Sequence, residues 1–215
     1  RIKTISWKMA LIGEKFSPER RRAEDDGMRI ITGSARGARL RTPRGLETRP
    51  TADRIKESLF NILGRRVQGR RVLDLFAGTG SLGLEALSRG AATAVFVDRA
   101  TAPLIRENAV HMHLLERARI EQADVFAALN RLSGEGAQFD LVLCDPPYGK
   151  GLWQRTLQAL DRLPLLSPEA LVVVEHGATE NDVPALAGLA CQRNQRYGRT
   201  TQVSIFVPRG AAQEA

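Results

Sequence analysis

Short apolar runs alternate with helix-like segments from Arg71 onward, and this alternation predicts a βαβ architecture. The last two of the seven predicted strands are joined only by residues 198–200, which are too few for a crossover helix. We therefore expect a mostly parallel sheet with an antiparallel last strand. The predicted strands are Val72–Leu75, Ala94–Asp98, Arg119–Gln122, Leu141–Asp145, Leu171–Glu175, Cys191–Tyr197 and Gln202–Val207.

The chain ahead of this sheet shows two further patterns. Apolar residues on both sides of a Gly33–Gly37 turn predict a small basic hairpin over Arg29–Pro43. Apolar residues at three- and four-residue spacing over Ile55–Leu63 predict a helix, with Thr51 or Asp53 as its N-cap. These patterns predict a hairpin and helix that precede the sheet domain.

Segment boundaries follow from the same patterns. A chain of 215 residues suits one domain with a modest appendage. Residues 1–27 are highly charged and lack apolar periodicity, which predicts a flexible extension. The hairpin and helix occupy residues 28–68, the sheet domain residues 69–209, and a short tail residues 210–215.

Composition narrows the class of protein. Hydrophobic residues make up 43% of the chain and charged residues 26%, as in ordinary globular proteins. We see neither an apolar run of about 20 residues nor an export signal, and we expect a cytoplasmic protein. Cys144 and Cys191 are the two cysteines, and their spacing resembles no zinc site. A metal site is therefore not expected.

Positive charge is concentrated at the beginning of the chain. Residues 1–71 hold 19 Lys or Arg and 8 Asp or Glu, a net charge of +11, whereas the remaining residues carry −3. A localised basic excess favours a polyanionic partner, of which nucleic acid is the usual one. A solvated charged surface is the alternative. If the partner is a nucleic acid, we expect Arg36, Arg39, Arg41 and Arg44 to contact its phosphates.

A glycine-rich loop follows the first predicted strand. Gly78, Gly80 and Gly83 match the G-x-G-x-x-G pattern, and Asp98 ends the next strand, where a ribose-binding carboxylate belongs. A nicotinamide-dependent oxidoreductase is therefore a competitor. However, Asp74 would repel a pyrophosphate and instead suits the ammonium group of an amino acid. S-adenosylmethionine carries that ammonium and no phosphate.

Two plainer interpretations of these acidic residues remain open. The loop could be an ordinary strand-to-helix turn, with Asp98 as a helix cap. Asp124 follows the third strand, where its carboxylate could accept the adenine amino group or could simply cap the next helix.

The fourth predicted strand delivers Asp145-Pro146-Pro147-Tyr148 to the carboxyl edge of the sheet, where ligands bind in open α/β folds. An aromatic amine is a poor nucleophile because its lone pair is delocalised into the ring. The Asp145 carboxylate and the Pro146 carbonyl can each accept one amine hydrogen, and Tyr148 can stack on the base. The neighbouring Cys144 could indicate thiolate chemistry on a ring carbon, but a buried core cysteine is the simpler interpretation.

Four motifs in order resemble bacterial guanine-N2 methyltransferases of small-subunit (16S) ribosomal RNA. The resemblance covers Met28 to about Val207. It implies a Rossmann-like class I methyltransferase fold, S-adenosylmethionine as methyl donor, and a guanine of 16S rRNA, within a 30S particle or its precursor, as target. Residues 1–27 depart from the family pattern, because family members begin near Met28. The motifs are Met28–Gly33, Thr48–Glu57, Asp74–Gly80 and Asp145–Tyr148.

This resemblance assigns roles to individual residues and makes residues 69–209 the catalytic domain. It implies catalytic roles for Asp145, Pro146, Pro147 and Tyr148. It also implies that Arg49 and Arg54 either touch RNA, which adds them to the RNA-binding set, or close over the cofactor. A salt-bridged helix start is the alternative for that stretch. The implied cofactor-binding residues are Asp74, Phe76, Ala77, Gly78, Thr79, Gly80, Asp98 and Asp124.

Other functions share parts of this pattern. The last two motifs alone also fit methyltransferases that act on DNA adenine or on protein glutamine. A noncatalytic RNA-binding factor would share the basic N-terminal segment without turnover. Binding of S-adenosylhomocysteine or of NAD separates a methyltransferase from an oxidoreductase.

Overall fold

The computed structural model describes residues 28–42 and 50–210, and these residues form a seven-stranded sheet flanked by helices. The predicted extension over residues 1–27, Arg44, Arg49 and residues 211–215 of the tail lie outside the described residues. The strands are β1 (Arg71–Leu75), β2 (Thr93–Val97), β3 (Ala118–Glu121), β4 (Phe139–Cys144), β5 (Leu166–Gly177), β6 (Leu189–Tyr197) and β7 (Thr201–Pro208). The α-helices are α1 (Pro50–Leu63), α2 (Ser81–Ser88), α3 (Ala102–His111), α4 (Val125–Gly134) and α5 (Leu152–Arg162).

The strand order is β3-β2-β1-β4-β5-β7-β6, so the chain reverses its direction of travel across the sheet after β3. Strands β1 to β5 pair in parallel, and β7 pairs antiparallel with both β5 and β6. The expected antiparallel last strand is confirmed. Strand β6 therefore lies at the edge of the sheet, although it precedes β7 in the chain.

Several strands are longer than their apolar runs. Strand β5 begins at Leu166, five residues before the predicted Leu171. Its first residues include Ser167 and Pro168, which favour turns, but Leu166 pairs with Phe139 at the start of β4. A register shift after Phe139 accommodates the extension. Pairing with a neighbouring strand thus outweighs the local turn preference.

The predicted hairpin is reduced to a narrow turn with one antiparallel bridge between Arg29 and Arg39. The Ile30 amide donates to the Ala38 carbonyl at 2.9 Å. The segment is held to α2 by side chains of the helix, since the buried Glu85 carboxylate accepts the amides of Ile31 and Thr32. These contacts satisfy backbone groups that would otherwise need partners within a sheet.

Helix α1 begins at Pro50, so Thr51 and Asp53 lie inside the helix and neither is the N-cap that the sequence predicted. Proline suits the first helical position, where its missing N–H is not needed. Asp53 instead forms an ion pair with Lys56 at 3.3 Å.

Both faces of the sheet are covered, which explains why the central strands are nearly uninterrupted apolar runs. Val72 of β1 belongs to the hydrophobic cluster under α1, α2 and α3, whereas Leu73 and Leu75 belong to the cluster under α4 and α5. Ile30 and Leu40 of the N-terminal segment join the first cluster. The segment over residues 28–42 is thus packed into the core of the sheet domain.

Within residues 28–42 and 50–210, no helix has both the length and the apolar character that crossing a membrane requires.

Candidate active site

The carboxyl ends of β1, β2, β4 and β5 meet at one edge of the sheet, on either side of the point where the strand order reverses. Ligands of open α/β folds bind in the crevice at such a point. The glycine loop follows β1, Asp98 follows β2, Asp145 follows β4, and Glu175 lies near the end of β5. We define these residues as the candidate active site.

The glycine loop turns sharply through backbone conformations with positive φ. Gly78 and Gly80 have φ of 56° and 81°, which glycine adopts without a steric penalty, and Phe76 has a φ of 58°. The Gly78 amide donates to Asp98 Oδ2 at 2.9 Å. The loop is therefore fixed by a carboxylate from the neighbouring strand.

The Asp98 carboxylate accepts hydrogen bonds from three backbone amides. Its Oδ1 accepts the amides of Ala100 and Thr101 at 2.8 and 2.9 Å, in addition to the Gly78 bond at Oδ2. Burial raises the pKa of Asp98, but these amide donors outweigh burial and hold the pKa below its ordinary value. Asp98 thus stays ionised between the glycine loop and the start of α3. It has both a structural role and the position expected of a ribose-binding carboxylate.

Asp74 is buried below the loop, and its Oδ2 accepts the Gly83 amide at 2.8 Å. Burial raises the pKa of Asp74 to about 8, and the nearby charge of Asp98 adds to this effect. A cation placed beside these two carboxylates would favour the ionised form of Asp74. Their chemistry therefore suits a positively charged ligand better than a pyrophosphate.

Gly83 allows α2 to approach β2 closely. A Cβ atom at this position would lie 2.3 Å from Cε1 of Phe96 and 2.9 Å from Asp74 Oδ2. Glycine is therefore required here by packing between helix and strand, as the third glycine of a G-x-G-x-x-G pattern usually is.

Asp124 is the N-cap of α4. Its Oδ1 accepts the amides of Phe126 and Ala127 at 3.0 and 3.2 Å, which supports the capping interpretation. Asp124 is also exposed at the ligand-binding edge, and a contact with adenine stays a prediction.

Asp145 is the first residue after β4, and its amide lies 3.4 Å from the Leu75 carbonyl at the end of β1. The residue is exposed to solvent, although protein atoms surround its carboxyl group closely enough to reduce its solvation. This partial burial raises the pKa of Asp145 well above its ordinary value, and the charges of Glu175 and Asp74 raise it further. Pro146, whose carbonyl was predicted to accept an amine hydrogen, is buried beside it.

Tyr148 is held at its hydroxyl end. The hydroxyl donates to Glu175 Oε1 at 2.6 Å and lies 3.3 Å from Thr201 Oγ1. The following residue is also anchored, because the Gly149 amide donates to Glu180 Oε1 at 3.0 Å. Tyr148 remains 40% exposed, so its ring can receive a flat ligand on its surface.

Glu175 is a site residue that the sequence analysis did not identify. It lies near the carboxyl end of β5 and bonds Tyr148, and burial raises its pKa. An acidic residue at the carboxyl end of a predicted parallel strand was the available signal. Its partner could not be foreseen, because 27 residues separate Glu175 from Tyr148.

Lys56 is a second residue that was missed, and it explains part of the Thr48–Glu57 motif. Its buried Nζ donates to the Arg29 carbonyl at 2.6 Å and to Ser81 Oγ at 2.9 Å. Burial lowers the pKa of Lys56, which the ion pair with Asp53 partly offsets. Lys56 thus joins α1, the N-terminal segment and the start of α2, in agreement with the salt-bridged interpretation of this stretch.

Cys144 is buried at the end of β4. Burial raises the pKa of its thiol, and the charge of Asp145 raises it further. A thiol held in the neutral form is a poor nucleophile. The structure therefore favours a core role for Cys144 over attack on a pyrimidine ring.

The described members of the predicted RNA-binding set lie on separate elements of the fold, the N-terminal segment and α1. Arg36 is exposed in the turn that contacts Ser88, at the carboxyl-terminal end of α2 and away from the glycine loop. Arg41 is close to the loop, because its backbone bonds Asn108, which also donates to the Thr79 carbonyl. The Arg41 side chain pairs with Glu107 at 2.8 Å.

The other described members of this set are Arg39 and Arg54. Both are exposed, and Arg54 lines a groove beside α1. Arg44 and Arg49 lie outside the described residues. Across residues 28–42 and 50–210, no group of three or more His, Cys, Asp or Glu side chains could hold a metal ion.

Comparisons with known proteins agree with this architecture. The profile of the family described as "Conserved hypothetical protein 95" matches residues 28–206. An Escherichia coli protein named "Ribosomal RNA small subunit methyltransferase D" is 38% identical over 161 residues, which cover 74% of this chain and 79% of that protein. The Bacillus subtilis protein YlbH, named as a candidate rRNA methyltransferase, is 37% identical over 186 residues, which cover 85% of this chain and 100% of that protein.

A solved structure shares the fold at similar identity. It is the Escherichia coli protein yhhF, described as a candidate methyltransferase. The two chains are 35% identical with a TM-score of 0.74, and the match covers 85% of this chain and 98% of the other.

Proposed function

The chain belongs to the family described as "Conserved hypothetical protein 95", and from this premise we propose that it is an S-adenosylmethionine-dependent methyltransferase of small-subunit ribosomal RNA. We propose further that the methyl group goes to the exocyclic N2 of a specific guanine. The observation that carries the proposal is the placement of Asp145-Pro146-Pro147-Tyr148 at the end of β4, beside the glycine loop that follows β1. Relatives named as rRNA methyltransferases support the choice of RNA.

The residues that would hold S-adenosylmethionine are Asp74, Asp98 and the backbone of the glycine loop. When bound, this cofactor supplies an activated methyl group on a positively charged sulfur. Residues 72–88 contain no Lys or Arg. Asp98 offers negative charge to a cationic ligand, and a cation beside Asp74 would favour the ionised form of that carboxyl as well. The same charges would repel the pyrophosphate of a nicotinamide cofactor, which argues against an oxidoreductase.

Asp145 and Pro146 prepare the target amine. The Asp145 carboxylate and the Pro146 carbonyl each accept a hydrogen bond from one of its two hydrogens. These bonds favour a tetrahedral nitrogen, whose lone pair is no longer delocalised into the ring and can attack the methyl group. Proline contributes no amide donor, so this part of the loop presents acceptors. When the nitrogen gains a methyl group it must lose one proton, and the Asp145 carboxylate is placed to accept it.

Tyr148 and Glu175 position the base. Stacking of a base on an aromatic side chain contributes about 1–3 kcal/mol in other nucleic-acid-binding proteins. The bond from the Tyr148 hydroxyl to Glu175 limits rotation of the ring before the base arrives. Since the methyl donor is already activated, most of the rate acceleration should come from such alignment, for which roughly 7–11 kcal/mol is attainable.

The proposed substrate is 16S rRNA within a 30S particle or an assembly intermediate, and the proposed location is the cytoplasm. A guanine amino group in a duplex is hydrogen-bonded, so the base must be unpaired or flipped to reach Asp145, at a cost of a few kcal/mol. An exposed loop of ribosomal RNA avoids that cost. Short duplex DNA should therefore be a poor substrate.

The test is transfer of a labelled methyl group to 30S particles, naked 16S rRNA and duplex DNA at matched salt, followed by nucleoside analysis. We expect N2-methylguanosine in ribosomal RNA. A product of N6-methyladenine would overturn the guanine assignment but leave the amino-methyltransferase mechanism in place. Transfer only to DNA, or to protein glutamine, would overturn the RNA substrate.

A further inference from the structure

A polar groove with a volume of about 600 Å³ separates α1 from the edge strand β6. One face of α1 contributes Arg54, Ser58 and Asn61, and β6 contributes Arg193 and Gln195. Glu57 is the acidic residue among those that line the groove. The proposed chemistry at Asp145 uses none of these side chains.

The hairpin of β6 and β7 is strongly basic. No Asp or Glu occurs between residues 183 and 213, whereas this stretch includes Arg193, Arg196 and Arg199. All three arginines are exposed, and none has an ion-pair partner among the described residues. The net charge of −3 after residue 71 does not reveal this basic patch, because acidic residues elsewhere in that part of the chain outnumber its arginines.

A chain of contacts links the groove to the candidate active site. Ser58 lines the groove, its Oγ lies 2.7 Å from the Tyr197 hydroxyl, and Tyr197 pairs with Thr201 across the hairpin. Thr201 Oγ1 in turn lies 3.3 Å from the Tyr148 hydroxyl. The turn that carries Arg199 is therefore adjacent to the residue that is proposed to stack on the target base.

The groove is long enough for an extended RNA strand. Arg193 and Tyr197 are four residues apart in β6, which corresponds to about 13 Å along that β-strand. Guanidinium groups form planar, bidentate hydrogen bonds with phosphate. Ser58, Asn61 and Gln195 add hydrogen-bonding groups of the kind that contact sugars and phosphates.

We propose that this groove binds the phosphate backbone of the RNA strand that flanks the target base, with Arg54 and Arg193 inside the groove and Arg199 at its active-site end. The inference rests on the proposed RNA substrate and adds a second contact surface to the N-terminal arginines. It assigns a role to β6, which lies at the edge of the described sheet.

The test compares two double substitutions in the full chain, each of which removes two exposed positive charges. Arg193→Gln with Arg199→Gln alters the groove. Arg162→Gln with Arg209→Gln is the matched control, because Arg162 is the last residue of α5 and Arg209 follows β7, at the end of the β6–β7 pair opposite to Arg199. The probe is a transcribed 16S rRNA fragment that the wild type methylates, and binding is measured across a series of salt concentrations.

Loss of two phosphate contacts should reduce the slope of log affinity against log salt by about 1.4, since each contact to a single strand contributes about 0.7. Affinity at low salt should fall by about tenfold, and KM for RNA should rise while kcat at saturating RNA is retained. The control should keep the wild-type slope, and both variants should bind S-adenosylhomocysteine normally. An unchanged slope in the groove variant would overturn the inference alone.

A photoreactive residue at Gln195 tests which molecule occupies the groove. We expect a cross-link to nucleotides beside the methylated guanine. A cross-link to another segment of this chain, or to a second copy of it, would overturn the inference. A wild-type protein that neither binds nor methylates ribosomal RNA would overturn the proposed function together with it.

Discussion

Asp145 has to remain ionised in surroundings that favour its neutral form. Its carboxylate must accept an amine hydrogen, yet burial and the nearby Glu175 and Asp74 raise its pKa. Coupled carboxyls titrate as a group, so the activity should follow the ionisation of the whole cluster. This conflict makes the acid side of the pH profile a direct probe of the site.

Asp145→Asn should reduce kcat for methyl transfer by on the order of 100-fold or more, as loss of one preorganised catalytic hydrogen bond does elsewhere. The asparagine side chain has an NH2 group in place of one carboxylate oxygen, and this donor would repel the amine hydrogens of the base. Calorimetry should show unchanged affinity for S-adenosylhomocysteine, because Asp145 is assigned to the base. Asp182→Asn, an exposed substitution, is the control, and near wild-type turnover of Asp145→Asn would contradict the assignment.

Glu175→Gln should move the acid limb of the kcat profile to lower pH. The charge of Glu175 raises the pKa of Asp145, so its removal lowers that pKa, and the active carboxylate then persists to lower pH. Tyr148→Phe provides the control, since it removes the hydroxyl bond to Glu175 but keeps the carboxyl group. A shift in Tyr148→Phe and none in Glu175→Gln would show that hydrogen bonding, and not charge, sets the profile.

At the scale of elements, the site depends on how closely α2 packs on β2. The glycine loop enters α2 directly, and Asp74 below the loop bonds the Gly83 amide in the first turn of that helix. A displacement of α2 would therefore move the loop as well. Lys56 adds a second constraint by bonding Ser81 at the start of the same helix.

Gly83→Ala should destabilise the protein by about 1–3 kcal/mol, the usual cost of overpacking a core. The new methyl group would meet Phe96 at 2.3 Å, and the aromatic ring would have to move. Gly134→Ala is the matched control, because that helical glycine has nothing within 4 Å of an added Cβ. Denaturant unfolding measures both, and combining Gly83→Ala with Phe96→Leu should recover part of the loss if the clash is the cause.

At the scale of the molecule, the N-terminal segment, α1 and one face of the sheet share a single hydrophobic cluster. Residues as far apart as Ile30 and Val207 belong to it. The described part of the chain should therefore unfold cooperatively, and a ligand at the carboxyl edge should stabilise all of it.

S-adenosylhomocysteine at 100 times its Kd should stabilise the folded state by about 2.7 kcal/mol. For a chain of this size the melting midpoint should then rise by roughly 5–11 °C. NAD at the same concentration is the comparison and should leave the midpoint unchanged. A rise with NAD and none with S-adenosylhomocysteine, measured by calorimetry, would reverse the choice of cofactor.

Local patterns were sufficient to predict the sheet domain and most of its binding edge. Strands buried on both faces appear as uninterrupted apolar runs, and the three-residue link after Tyr197 excludes a crossover helix, so the antiparallel last strand was predictable. The glycine loop, Asp98 and Asp145 each follow a predicted strand, which is enough to bring them to one edge. The family resemblance carried by four motifs is confirmed by the family match and by relatives of 37–38% identity.

Contacts between distant segments were decided only by the tertiary structure. Glu175 meets Tyr148, and Lys56 meets Ser81, across 27 and 25 residues, and no local periodicity encodes such pairs. The start of β5 and the single-bridge turn at Arg29 likewise depend on backbone partners elsewhere in the fold. The insertion of β7 between β5 and β6 puts β6 at the edge of the sheet. The polar sequence of β6 suits an edge strand, but only the tertiary structure brings that edge beside α1 to form the groove.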